Sequence, residues 1–177
     1  HAGGLSILHR NSGRIENFNQ RNSRLINENV YAILPDGENN FLLGTLSALV
    51  HFNPEKRSFT TITQESDGTP MNLQKITTLF RDSQKRLWIG GEEGISVFKQ
   101  HGTSIQKAAI LPESTVTKAF TNYIYEAANG LIWVGTREGF YCFNEKEKRI
   151  KRYTTANGLP NNVVYGILED SYGRLWM

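Results

Sequence analysis

The sequence has little of what commonly identifies a catalytic or metal-binding chemistry. It contains one cysteine in 177 residues, Cys142, which excludes an internal disulfide and is expected to be a small strand or core residue. The four histidines, His1, His9, His51 and His101, lack the close spacing of a zinc site. No apolar run approaches the roughly 18 residues of a membrane helix, and no signal peptide is recognisable.

A surplus of charge of one sign is also missing. The chain has 20 Lys and Arg residues and 17 Asp and Glu residues, which gives a formal net charge of +3. Residues of the two signs are interspersed along the chain. A nucleic-acid-binding domain would instead concentrate its basic residues in a stripe or patch. The composition therefore indicates a mixed polar surface around one compact domain and argues against a nucleic-acid partner.

What the sequence does contain is a repeat. RDSQKRLWIGGEEGISVFK at 81–99 recurs as AANGLIWVGTREGFYCF at 127–143 and, with more substitutions, as DGENNFLLGTLSALVHF at 36–52, and DSYGRLWM at 170–177 begins another copy. One aligned position of the four copies is held by Leu42, Trp88, Trp133 and Trp176. A period in the forties with several short strands predicts a β-propeller, in which each blade must stack on its neighbours to bury its faces. Frequent Gly, Asn and Asp exclude helical repeats.

Each unit reads as four antiparallel strands, so the predicted fold class is all-β, with about four propeller blades. The first strand is short and apolar, a polar turn leads to the LWIG strand, a tight loop leads to a third strand, and the outer strand is polar, as in RIKRY at Arg149 to Tyr153. The predicted boundaries are a half blade at 1–24, blades at about 25–70, 71–114 and 115–160, and a half blade at 161–177.

The two half blades would add up to a fourth blade, because the chain opens on strands three and four and closes on strands one and two. Four blades could close as a small ring, whereas a piece of a seven-bladed ring could stay open or take strands from a second copy. Propellers commonly close by pairing strands from both termini within one blade, which removes exposed sheet edges. The chain begins at His1 without a methionine and ends inside a motif. It is therefore expected to be a piece of a longer protein.

The motifs resemble the two-component regulator propeller repeat. The resemblance rests on DSQKRLWIGGEEGISVF from Asp82, NGLIWVGTREGFYCF from Asn129 and NGLPNNVVYGILEDSYGRLW from Asn157. The family pattern is Gly-Leu-Pro-x-Asn, a short strand, Asp-x-x-Gly-x-Leu-Trp-Ile-Gly-Thr and a Gly-Leu strand. The departures from it are Leu42 for Trp, Ala48 for Gly, Ala127 for Asp and Gly91 for Thr.

This resemblance implies a sensor function. It implies an extracytoplasmic, periplasmic propeller segment of a hybrid two-component signalling protein that responds to an oligosaccharide and passes the signal to a histidine kinase outside this chain, with the parent protein a homodimer. The segment itself is expected to be no enzyme and to need no metal or cofactor. The alternative is a propeller scaffold for protein–protein interaction or dimerisation that binds no small molecule. A propeller lyase or hydrolase would need clustered His and Glu side chains facing a channel.

Other repeat families fit the residues less well. A sialidase Asp-box requires Asp two residues before the Gly of Gly-x-x-Trp, but Ser171 stands at that position before Gly173. WD repeats require a Trp-Asp pair, and Trp is followed here by Ile89, Val134 or Met177. Kelch repeats require paired glycines in each unit, and the chain has one isolated instance.

The candidate ligand site lies on the rim of the predicted propeller. When the first strand is innermost, the loops between blades and those between strands two and three emerge on one face. The candidate residues on that face are Asn27, Asn29, Glu92, Glu93, Lys118, Arg137, Glu138, Asn161 and Asn162. Such amides and charges could bind a polar ligand, with Tyr31, Tyr125 or Tyr165 for stacking, or could be ordinary loop residues.

Three motifs that could carry chemistry have simpler interpretations. Glu92 and Glu93 could form an acid and base pair, but neighbouring residues in a tight loop usually diverge and remain solvated. The repeated Asp at 36, 82 and 170 indicates a turn-forming role. The repeated Trp could stack on sugars, but its place in apolar strands once per blade favours core packing. No catalytic residue is predicted.

Overall fold

The chain is described here by a computed structural model that covers residues 3–111 and 118–177. Within these ranges the regular structure is strand, apart from a short 3₁₀ turn at Thr155–Asn157. The strands are β1 Leu5–Leu8, β2 Ile15–Phe18, β3 Val30–Pro35, β4 Phe41–Thr45, β5 Leu49–Asn53, β6 Ser58–Ile62, β7 Ile76–Arg81, β8 Leu87–Gly91, β9 Gly94–His101, β10 Ser104–Lys107, β11 Thr121–Glu126, β12 Ile132–Thr136, β13 Phe140–Asn144, β14 Arg149–Tyr153, β15 Leu168–Glu169 and β16 Leu175–Trp176. The described part contains no helix long and apolar enough to cross a membrane.

The strands form three complete four-stranded antiparallel sheets in sequential order. The first blade is β3–β6, the second blade β7–β10 and the third blade β11–β14. The prediction of an all-β propeller built of four-stranded antiparallel blades is confirmed. The polar segment RIKRY, predicted as an outer strand, is the outer strand β14.

Two hairpins flank the three blades. β1–β2 and β15–β16 form separate two-stranded sheets, so the fourth blade expected from joining them is not formed in this structure. Each hairpin packs instead on its adjacent blade, through Phe18 against the first blade and Leu175 against the third. The segment from Val163 onward forms little strand, since only Leu168–Glu169 pair with the two-residue strand β16.

The apolar core is divided among the spaces between blades. Leu42 and Ile76 pack together between the first and second blades, and Trp88 and Phe143 pack between the second and third. Trp88 is fully buried, which confirms core packing over sugar stacking for this member of the repeated Trp series. Because both faces of each blade are apolar, the blades stabilise one another by burying those faces.

The first strand of every blade carries a β-bulge, and in the second and third blades the side chain at the bulge hydrogen-bonds the segment that follows. The register shifts fall at Tyr31, Thr77 and Asn122, which are equivalent positions in the repeat. The Thr77 hydroxyl donates to the backbone carbonyl of Thr121, and Asn122 Nδ2 donates to the carbonyl of Val164 at 3.0 Å. A bulge re-aims a side chain locally, and here it links successive blades.

Asp82 organises the turn between strands one and two of the second blade. Its Oδ1 accepts from the backbone N–H of Arg86 at 2.8 Å, and its Oδ2 accepts from Arg86 Nε at 2.6 Å and from Trp88 Nε1 at 2.7 Å. Arg86 then forms a bidentate pair with Glu145 of the third blade at 2.7 and 2.8 Å, and this pairing lowers the pKa of Glu145. The turn-forming role predicted for the repeated Asp is confirmed here.

The same motif recurs at Asp170, where the carboxylate accepts from Arg174 Nε at 2.7 Å and from Trp176 Nε1 at 3.0 Å. The hydrogen bond from Trp176, followed by those from Arg174, lowers the pKa of Asp170 to about 2. In contrast to Trp88, Trp176 is 59% exposed. The repeat thus builds one hydrogen-bonded unit twice, once buried and once at the surface.

The departure at Ala127 has a structural consequence in the third blade. Ala127 stands where Asp would accept from the indole, and Trp133 Nε1 is buried with no hydrogen-bond partner among the described residues. Trp133 is held instead by stacking on Phe140, with ring centroids 4.8 Å apart. A buried donor without a partner costs about 1–3 kcal/mol, so the third blade is weakened by this substitution.

We expect the two indoles to respond differently to replacement by Phe. Trp133→Phe removes an unpaired donor and should change the free energy of unfolding by less than about 1 kcal/mol, since the lost ring area is offset by the lost desolvation cost. Trp88→Phe removes a donor from Asp82 in a packed core and should cost about 2–3 kcal/mol. Urea unfolding of both variants measures the difference, and equal costs would contradict the different roles of the two indoles.

Candidate functional site

The polar loops of the repeat gather on one face of the blade stack. Strands alternate in direction within each sheet, so the turns between strands two and three lie at the same end as the connections between blades. We call this end the mouth face. It is formed by the turns at 46–47, 92–93 and 137–138 and by the connections that lead into β3, β7 and β11.

Backbone hydrogen bonds fix the mouth face in the same way in every blade. The N–H groups of Leu46, Glu92 and Arg137 donate to the carbonyl oxygens of Asn29, Gln74 and Phe120 at 3.2, 3.2 and 3.1 Å, respectively. The N–H of Lys75 donates in turn to the carbonyl of Leu46 at 2.8 Å, which joins the first blade to the second. Side chains at these positions are therefore held on a shared backbone frame.

Two cations on this frame share one aromatic ring. The Arg137 guanidinium carbon lies 3.9 Å from the centroid of the Phe120 ring, and Lys75 Nζ lies 5.2 Å from the same centroid. Both distances are within the range of cation–π attraction. We call Lys75, Phe120 and Arg137 the cation cluster. Within the ranges 3–111 and 118–177, neither cation forms an ion pair with a carboxylate.

A cleft opens beside the cation cluster between the first and second blades. Its volume is about 440 Å³, and its lining residues are Leu46, Ser47, Gln74, Lys75 and Glu92. This volume falls within the range of about 300–1,000 Å³ that is common for small-ligand pockets. Lys75 belongs to both the cleft and the cation cluster, so the two features form one continuous surface.

The predicted carboxylates and the predicted Arg occupy different parts of the mouth face. Glu92 lines the cleft, whereas Glu93 lines a smaller cavity on the other side of its turn, so the two adjacent carboxylates do not face a common space. Arg137 belongs to the cation cluster. Glu138 lies outward of it, and its backbone carbonyl accepts a hydrogen bond from Arg152 Nε at 3.0 Å. Lys118 is exposed.

The predicted asparagines hold turns on the mouth face. The Oδ1 atoms of Asn27 and Asn161 accept from the backbone N–H two residues later, at 2.8 and 2.9 Å. Asn162 Oδ1 accepts from the N–H of Thr155 at 2.8 Å, and Asn29 Nδ2 donates to Asn27 at 3.1 Å. Such local hydrogen bonds set the shape of the connections between blades.

The three tyrosines considered for stacking are not equivalent. Tyr31 and Tyr165 lie near the start of their inner segments, close to the mouth face, and are 44% and 74% exposed. Tyr125 lies near the opposite end of β11, where its hydroxyl donates to Glu169 at 3.2 Å. Burial, together with this contact, raises the pKa of the Tyr125 phenol. Tyr31 and Tyr165 are therefore the tyrosines that a ligand on the mouth face can reach.

Metal-ligand clusters and the cysteine are two further features that could carry chemistry. The described residues contain no group of three or more His, Cys, Asp or Glu side chains that could hold a metal ion. Cys142 is half-buried in β13, and burial raises the pKa of its thiol, which keeps it protonated and weakly nucleophilic. The arrangement suits binding through charge and hydrogen bonds.

Sequence reasoning missed Lys75 and Phe120. Both precede the first strand of a blade, at the repeat position that Asn29 holds in the first blade. The period of the repeat could have located them, because Asn29 is itself a predicted site residue. Their residue types differ from blade to blade, so no motif identified them.

Comparison with known proteins agrees with the propeller geometry. The fold itself is a series of stacked propeller blades. The sequence model of the family described as "Two component regulator propeller" matches residues 70–93 and 158–177. Two segments of the chain therefore match the two-component regulator propeller repeat, in agreement with the motifs.

The chain is similar in sequence to a histidine kinase and in structure to two solved extracellular domains. The chain is 28% identical over 172 residues to "Histidine kinase P4" of Formosa agariphila, an alignment that covers 93% of this chain and 12% of that protein. The extracellular domain of a protein from B. thetaiotaomicron that is named as a hybrid two component system superposes with a TM-score of 0.79 at 21% identity, covering 99% of this chain and 23% of that one. A second such domain from the same organism gives 0.68 at 23% identity, with coverage of 90% and 22%.

Proposed function

We propose that this chain is an extracytoplasmic, periplasmic segment of the sensor propeller of a hybrid two-component signalling protein. The observation that carries the proposal is the match of its repeats to the two-component regulator propeller family, joined to the similarity with a histidine kinase over 93% of the chain. The chain spans only 12% of that kinase, so the kinase activity belongs to other parts of the parent protein. The segment itself binds a signal and performs no reaction.

The signal in this proposal is an oligosaccharide that binds on the mouth face. The candidate ligand-binding residues are Asn27, Asn29, Glu92, Glu93, Arg137, Glu138, Asn161 and Asn162. The cleft offers hydroxyl, amide and carboxylate groups, which can exchange hydrogen bonds with sugar hydroxyls. Loops and turns of two blades meet in it, so a ligand that fills it contacts both.

Signalling requires that the ligand bind two states of the propeller with different affinity. A saccharide that bridges the turn at 46–47 and the connection at 74–75 favours one relative orientation of the first two blades. In a homodimeric parent protein, the same preference would change the orientation of the subunits. The size of the response is set by the ratio of the two affinities.

A glycan-binding screen tests this function. The chain is expected to bind at least one oligosaccharide class, to leave it chemically intact, and to lose binding when competed by the same free saccharide. Chromatography of the recovered glycan would detect turnover. Binding with cleavage would show an enzyme, and failure to bind any saccharide in a broad panel would contradict the carbohydrate signal.

A scaffold function is the second candidate, because an apolar groove lies beside the unpaired edge of β1. The groove has a volume of about 520 Å³ and is lined in part by Leu5, Ile7, Ile33 and Phe41. An unpaired strand edge beside apolar side chains is suited to strand addition from another chain. Light scattering together with the glycan-binding screen separates the two functions. A dimer that binds no glycan favours the scaffold, and a monomer that binds a glycan favours the sensor.

A further inference from the structure

We propose that the ligand of the mouth face is an acidic oligosaccharide, bound with a sugar carboxylate or sulfate at Lys75 and Arg137 and with its hydroxyls in the cleft beside Glu92. This inference rests on the proposed sensor function and specifies its ligand class. The observation behind it is the cation cluster, in which two positive groups are held close together by one ring.

Within the described residues, the two cations of the cation cluster have no anionic partner. Lys75 and Arg137 both lie within 5.2 Å of one ring centroid, so they repel each other, and no carboxylate of the described residues pairs with either. The attraction of each cation to Phe120 is worth only about 0.5–1 kcal/mol at an exposed site. An anionic group bound here would gain two charge-assisted contacts and relieve the repulsion.

Ordered backbone and contact with the Phe120 ring restrict both cations before any ligand binds. Lys75 is half-buried, and its backbone N–H donates to the carbonyl oxygen of Leu46. The backbone N–H of Arg137 donates to the carbonyl oxygen of Phe120. Its guanidinium packs over the ring of the same residue. Side chains held in this way lose less conformational entropy on binding than free surface cations do.

The neighbouring cleft distinguishes an acidic saccharide from other anions. Glu92 lies in the same cleft as Lys75 and would repel a polyphosphate or nucleic-acid backbone, whereas its carboxylate readily accepts hydrogen bonds from hydroxyls. Ser47 and Gln74 add groups of the same kind. The cleft belongs to the first two blades and Arg137 to the third, so a ligand that contacts all of these groups touches three blades.

The test uses the complete chain and a panel of matched glycans. Each acidic oligosaccharide, such as tetragalacturonic acid or a sulfated carrageenan tetrasaccharide, is paired with its methyl-esterified or desulfated form. Titration calorimetry of the variant Lys75→Gln with Arg137→Gln should show binding about 10-fold weaker or more for the acidic member. Binding to the unmodified chain should also weaken as salt increases. The carboxylate and sulfate arms identify which anionic group is preferred.

The control variant is Arg10→Gln with Lys146→Gln. It removes the same charge from exposed residues in turns at the opposite end of the blades, and it should leave the affinity unchanged. Neutral glycans that bind as well as their acidic partners, or acidic binding that survives Lys75→Gln with Arg137→Gln, would overturn this inference and leave the sensor function standing. Absence of binding to every glycan would overturn both proposals.

Discussion

Asp82→Ala is expected to lower the free energy of unfolding by about 3–5 kcal/mol, because it removes one partner of a buried ion pair and leaves buried donors without an acceptor. The Asp82 side chain is fully buried, and the Arg86 side chain is 9% exposed. Without the carboxylate, Arg86 Nε, the Arg86 backbone N–H and Trp88 Nε1 all lose their acceptor. Urea unfolding followed by circular dichroism measures the loss.

The repeat supplies a matched control for this substitution. Asp170 accepts the same three kinds of hydrogen bond from Arg174 and Trp176, but Trp176 is 59% exposed and Arg174 is exposed as well. Asp170→Ala should therefore cost less than about 1 kcal/mol, since water can replace the lost partner. Similar losses of unfolding free energy for Asp82→Ala and Asp170→Ala would mean that burial of the second-blade motif contributes little to stability.

The second large effect is expected at Gly90, where the second blade closely approaches the third. A Cβ atom at this position would lie 2.6 Å from Cγ2 of Thr121 in the next blade and 2.7 Å from Cγ2 of Thr78. Thr121 is fully buried and cannot move into solvent. Gly90→Ala must therefore push the blades apart or force side chains off their preferred rotamers, at a cost of about 2–3 kcal/mol.

Gly166→Ala is the control for this second effect. A Cβ atom at Gly166 would meet nothing within 4 Å, so we expect a change in stability of less than about 1 kcal/mol. Thermal unfolding of Gly90→Ala and Gly166→Ala compares a blade contact with an open site. Equal melting temperatures would show that the repeated glycine does not set the spacing between blades.

The repeat explains why the architecture could be predicted from the sequence. Gly44 approaches the next blade and Gly135 the segment after the third blade in the same way as Gly90, since an added Cβ atom would lie 2.6 Å from Ile76 and 2.9 Å from Val164, respectively. Contacts that recur once per blade constrain the same residue types at the same period, and that period is visible without a structure. The shared fourth blade was predicted but is not formed, because local periodicity does not specify whether distant hairpins pair.

The candidate site was only partly predictable for a related reason. The turns at Glu92 and Arg137 follow strand two of the repeat and could be placed on one face from topology alone. The cation cluster combines Arg137 with Lys75 and Phe120, which come from connections whose sequences differ in each blade. Which side chains share a ring depends on three-dimensional packing between blades, and a repeat period carries no information about it.

Hydrogen exchange of the chain with and without the tightest-binding glycan is the most direct test of a ligand site on the mouth face. Such a site predicts slower exchange in the turns and connections at 46–47, 74–75, 92–93 and 137–138, because their backbone amides frame the ligand. The turns at 82–86 and 145–148 on the opposite face should be unchanged. Protection confined to that opposite face, or to the groove beside β1, would contradict a ligand site on the mouth face.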